Sequence, residues 1–165
     1  LAFAASTPII YINDDLVTKA GGDPAKFPTT WDGIFDLAKK VNALGNDNIG
    51  LFHSWAITGN WMWQALVFSH GGTMMTADEK AIAFDQAPGK KSIELLGRMV
   101  NDAGMPNLTP EASRAAFFGG KLAIWTESTS LLRVADTWRV AIYPRADLSI
   151  EEQLTPESIE ARSPR

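Results

Sequence analysis

The chain has 165 residues, 45% apolar and 21% charged, enough for one domain with a real core. A formal net charge of -4 lacks the clustered Lys and Arg of a nucleic-acid footprint, since the adjacent basic pairs Lys39-Lys40 and Lys90-Lys91 fall on helix flanks and read as solvated faces. Cysteine is absent, which excludes a disulfide framework, a thiolate zinc site and a thiol nucleophile, and no run reaches the roughly 18–20 apolar residues of a membrane span. The opening LAFAASTPIIYIN carries no Met and no basic stretch, so it does not read as an intact signal peptide; an apolar strand with nothing before it reads as a chain cut in mid-course. PIIYI (Pro8 to Ile12) is β-rich and reads as a buried strand. Asn13-Asp14-Asp15 offers a cap for a short helix through Lys19, closed by Gly21-Gly22. Thr29 or Thr30 can cap the next helix, whose Ile34, Phe35, Leu37, Ala38, Val41 and Leu44 recur at helical spacing until Gly45-Asn46.

IGLFH (Ile49 to His53) reads as the second strand, and Thr58-Gly59-Asn60 opens a helix to about Ser69, before Gly71-Gly72. Thr73 to Phe84 holds two short alternating pieces, a small hairpin. Asp85 and Pro88 open a long helix to Gly104, with Ile93, Leu95, Leu96, Met99 and Val100 as its expected buried stripe. Thr109-Pro110-Glu111 caps another helix, ending at Gly119-Gly120. KLAIW (Lys121 to Trp125) is a strand, Ser128 to Ala135 a helix, and RVAIY (Arg139 to Tyr143) a last strand. Alternating strands and helices predict an α/β fold, a mixed sheet of about 4–5 strands flanked by helices. Residues 1–144 form one lobe on this reading; 145–165 are a polar tail, flexible or one short helix.

PIIYINDDLVTKAG followed by PTTWDGIFDLAKKV resembles the signature of family 1 extracellular solute-binding proteins of ABC importers. The matching positions are Tyr11, Asn13, Asp15, Leu16, Ala20, Gly21, Pro28, Thr30, Trp31 and Asp32, and AAFFGGKLAIWTEST is similar to a later segment of that family. The resemblance, over about Pro8 to Pro144, implies a periplasmic-binding-protein-like lobe, the second of two that trap solute between them. It implies a sugar or related small polar solute, a transporter permease as partner of the full-length protein, a periplasmic or cell-surface location, and neither enzymatic activity nor a cofactor. The starting strand would come from the hinge, so the chain reads as one lobe, incomplete and weak-binding in isolation.

In that family the head of the helix after the second strand lines the cleft and often carries an aromatic platform for sugars. Trp61 falls there by spacing back from Gly71-Gly72, with Asn60 and Trp63 beside it. A flat ring covers the C–H face of a sugar at low entropic cost while polar neighbours fix its rim. Residues two apart on a helix point about 200° apart, so one indole should face the cleft and one the core; Trp61 is assigned to the cleft and Trp63 to partial burial. Core or interface filling is the competing account of both. Glu127, Ser128 and Thr129 follow a strand end, where open α/β sheets bind ligands. They read equally as a first-turn acid and helix caps. His53 and Tyr11 complete the candidate set, each with a structural alternative, and Trp125 reads as core. Two histidines without ligand spacing give no metal site. No Gly-x-Ser-x-Gly elbow or phosphate-binding loop appears, and a carboxylate pair of Glu127 with Asp32 or Asp136 is not demanded by spacing. The rival is a truncated lobe acting as a self-associating or protein-interaction module, for instance a homodimer through its exposed cleft face.

Overall fold

The computed structural model describes residues 6–55, 59–131 and 139–141. Strand β1 (Pro8–Ile12) runs into Asn13, whose side-chain oxygen accepts the Leu16 N–H at 3.2 Å and starts helix α1 (Asp14–Lys19). Capping of this kind satisfies a donor that a helix start otherwise leaves orphaned. Thr30 does the same for α2 (Trp31–Asn42), accepting the Gly33 N–H, and Thr109 for α5 (Pro110–Phe118), accepting the Ala112 N–H. Between these lie β2 (Ile49–His53), α3 (Gly59–Ser69) and α4 (Ala87–Asn101). Strand β3 (Leu122–Ser128), a single 3-10 turn at Thr129–Leu131, and β4 (Arg139–Ala141) complete the described chain.

The four strands form one mixed sheet in the order β2-β3-β1-β4. β2 and β3 run parallel, with Phe52 opposite Trp125 and His53 opposite Thr126. β1 is antiparallel to β3 on one side and to β4 on the other. A parallel pair needs a crossover, and α3, α4 and α5 supply it. Helix α2 lies so close on β2 that a Cβ at Gly50 would meet the Ala38 carbonyl oxygen at 2.1 Å; only glycine fits there. Across β1, β3 and α5 the core is aromatic. Tyr11, Phe117 and Trp125 are all buried, with ring centroids 5.2–5.9 Å apart.

Several details differ from the sequence reading. The stripe of α4 is not the apolar one: Ile93 and Val100 are 57% and 50% exposed, and Leu95 and Met99 are buried. The inward face also uses Ser92 and Gly89. Ser92 satisfies its hydroxyl on the Pro88 carbonyl at 2.8 Å, and Gly89 packs where a Cβ would strike the Phe84 carbonyl. A periodicity count over apolar residues passes over both. The expected hairpin at 73–84 is reduced to one antiparallel bridge, Met75 to Ile82, around a turn in which Thr76 and Asp78 bond each other. β3 continues through Ser128, so the expected helix there gives way to the 3-10 turn; its remainder, residues 142–143 of the last strand and the tail 145–165 lie outside the described residues.

Candidate functional site

Because β2 and β3 are parallel, their carboxyl ends meet at one rim of the sheet, where His53, Glu127, Ser128 and Thr129 lie at or just beyond the strand ends. The ladder continues one step past β2, the Ser54 N–H donating to the Thr126 carbonyl at 3.1 Å. Side chains alternate across a strand, so consecutive residues of β3 divide between two faces. On one face Thr126 Oγ1 lies 2.7 Å from His53 Nδ1, and both residues are fully buried. Burial pushes the His53 imidazole down to about 3, so the ring is neutral at physiological pH.

On the other face stands Glu127, 8% exposed. Its Oε2 accepts the Ser54 hydroxyl at 2.6 Å and its Oε1 the Ser128 N–H at 2.8 Å. Tyr11 is buried behind it and donates its hydroxyl to the Ser128 carbonyl at 2.8 Å. Burial, and after it the charge of Glu127, push the Tyr11 phenol up to about 12. The Ser128 hydroxyl lies 2.8 Å from that of Ser130, accepts the Ser130 N–H at 3.0 Å, and also bonds Ser6. Thr129 is tied to Thr7 twice: its Oγ1 accepts the Thr7 N–H and its own N–H donates to the Thr7 carbonyl.

Helix α3 begins beyond the end of β2. Trp61, in its first turn, is half-buried and packs against the core cluster. Trp63 is half-buried too, edge-to-face with Phe84 at 5.6 Å, and its Nε1–H has no partner among the described groups. The Asn60 side chain lies outside the described residues. The structure thus joins Tyr11, Glu127 and Ser128 in one network, ties Thr129 separately to Thr7, sets His53 on the opposite face, and carries the two indoles on a separate helix.

Two features escaped the sequence. Ser54 is the hydrogen-bond partner of Glu127 from 73 positions away, and no spacing rule connects them. Trp55, 46% exposed just past β2, lines an apolar cavity of about 340 Å³ with Leu96, Val100, Met105, Pro106 and Asn107. An aromatic immediately after a strand end was its only local signal. Among the described residues no group of three or more His, Asp or Glu side chains could hold a metal ion, and no helix is long and apolar enough to cross a membrane.

A family model described as "Bacterial extracellular solute-binding protein" matches residues 1–147. The sn-glycerol-3-phosphate-binding periplasmic protein UgpB of Escherichia coli (strain K12) is 28% identical over 138 residues, covering 79% of this chain and 31% of that protein. The chain therefore spans about a third of the length of the curated relatives it matches. Among solved structures, an ABC transporter solute-binding protein from Thermotoga lettingae bound with α-D-tagatose superposes with a TM-score of 0.76 at 20% identity, over 87% of this chain and 40% of that one. One from Agrobacterium vitis with bound D-mannitol gives 0.67 at 23% identity, over 86% and 37%. Likeness at such identities speaks for the fold.

Proposed function

Since the chain belongs to the bacterial extracellular solute-binding protein family, a family of binding proteins and not of enzymes, we propose that it forms one wall of a solute cleft serving an ABC importer. The solute is a sugar or related small polyhydroxylated molecule, held beyond the carboxyl ends of β2 and β3. What supports this reading is Trp61, a half-buried indole in the first turn of the helix that follows β2, the strand whose carboxyl end, with that of β3, carries a rim of oxygen-bearing side chains. Its exposed face supplies contact area to C–H groups, and the rim of Glu127, Ser128 and Thr129 supplies acceptors and donors for hydroxyls. Tyr11 and His53 hold that rim from behind, one through the Ser128 carbonyl and one through Thr126. Asn60 and Trp63 flank the platform on the same helix. The partner in the full-length protein is the transporter permease, and the location is outside the cytoplasmic membrane.

Titration with D-mannitol and α-D-tagatose, followed by tryptophan fluorescence, tests the proposal. The intact chain should show a saturable change, and Trp61→Ala should lose it while melting far closer to wild type than Trp125→Ala does. A Trp61→Ala chain that unfolds as readily as Trp125→Ala would make the ring a core residue and end the reading. Light scattering on the same samples addresses self-association, which predicts a dimer that protects Trp61 from solvent quenchers.

A further inference from the structure

The chemistry of the rim narrows the solute further. Glu127 is nearly buried, yet among the described residues it makes no ion pair: its partners are the Ser54 hydroxyl and the Ser128 N–H, both neutral. Each carboxylate oxygen accepts one hydrogen bond and keeps room for another. A buried negative charge left with spare acceptor capacity is satisfied by a ligand that brings donors, and two vicinal hydroxyls match a carboxylate's two oxygens.

We propose that Glu127 makes this site selective for uncharged polyhydroxylated solutes and turns away phosphate esters, unlike the glycerol phosphate named for the relatives of this chain. The inference rests on the binding role proposed above. The opposing influence is the head of α3, whose helix dipole carries the equivalent of about half a positive charge. A phosphate ester brings about −1.5 to −2 and meets a full negative charge on Glu127, so repulsion outweighs the helix end. At the reduced dielectric of a partly buried site, like charges a few ångströms apart lower affinity by about tenfold or more. The serine hydroxyls do not reverse this. Ser54 is committed to Glu127, and Ser128 is engaged with Ser130 and Ser6.

The test measures binding of D-mannitol, α-D-tagatose and sn-glycerol 3-phosphate by saturation-transfer NMR and titration, at low ionic strength where charge effects are largest. The wild-type chain should take the neutral probes about tenfold or more tighter than the phosphate ester. Glu127→Gln removes the charge at nearly constant shape and should close that gap, mainly by admitting the ester. Ser54→Ala keeps the charge and should leave the ester excluded, which controls for general disturbance of the rim. Equal or tighter binding of the ester by wild type, or a gap that survives Glu127→Gln, overturns the charge-selection proposal and leaves the solute-binding reading standing. Silence from all three probes removes both.

Discussion

Phe117 offers the sharpest test of how the rim is held. Its ring is completely buried, with centroids 5.2 Å from Trp125 and 5.9 Å from each of Tyr11 and Phe118. It joins α5 to the two strands that carry Tyr11 and Glu127. Phe117→Ala leaves a cavity between three aromatic rings, a change that costs about 3–5 kcal/mol in a core that cannot collapse. With a urea m-value of about 2 kcal/mol/M for a chain of this size, the unfolding midpoint should fall by about 1.5–2.5 M at unchanged m. Phe118, next in sequence and touching the same Trp125 edge-on at 6.3 Å, is only partly buried. Phe118→Ala should cost less than half as much. Urea unfolding followed by far-UV circular dichroism reads both variants. A Phe117→Ala penalty below about 1 kcal/mol, or one no larger than that of Phe118→Ala, would mean that α5 does not clamp the sheet through this ring.

Three further outcomes follow from the same packing. His53 is held neutral with its imidazole lowered to about 3, whereas the unfolded chain takes up a proton near 6.5, so its contribution to stability is complete above about 6.5 and is lost as pH falls towards 3. A slope of up to about 1.4 kcal/mol per pH unit across that window should vanish in His53→Asn, measured as the difference between the two stability–pH curves. Gly50→Ala drives a methyl group into the Ala38 carbonyl and should cost about 1–3 kcal/mol, visible as a lowered melting temperature; a neutral result would show that α2 can back away from β2. Tyr11→Phe strips the buried Ser128 carbonyl of its donor and should cost about 1–3 kcal/mol in thermal unfolding, with the rim loosened more than the far end of the sheet in hydrogen exchange.

Elements whose ends are written in local chemistry were legible. Asn13, Thr30 and Thr109 cap helices as their residue types imply, and Gly71 and Gly120 adopt the positive φ that closes α3 and α5. The family signature lies in those same local blocks, which is why fold and broad role are legible in the sequence. Illegible were features decided by partners distant in sequence. Ser92 and Gly89 face inward on α4 because of what α3 and Phe84 present to them, and polarity alone argues the opposite. Ser128 ends a strand and does not start a helix, because Pro8 pairs with it from 120 positions away. The expected capping roles of Ser128 and Thr129 shift accordingly, to the Ser130 N–H and to Thr7.

The period of two along β3 explains why neighbouring polar residues have unlike fates. Thr126 and Glu127 are adjacent, and the pleat sends them to opposite faces. Thr126 meets His53 in a fully buried pair that titrates only in strong acid, so it can orient the strand ends but cannot respond to a solute. Glu127 meets Ser54 on the face shared with Tyr11 and Trp125, and it keeps a sliver of exposure. A one-residue slip of β3 against β1 would exchange the two, turning the carboxylate to the face of His53 and the threonine to that of Ser54. The register is set by Tyr11 opposite Trp125, whose rings interlock with Phe117. If the rim binds solute as proposed, the aromatic core determines which polar side chain faces it, and repacking that core should alter solute selectivity.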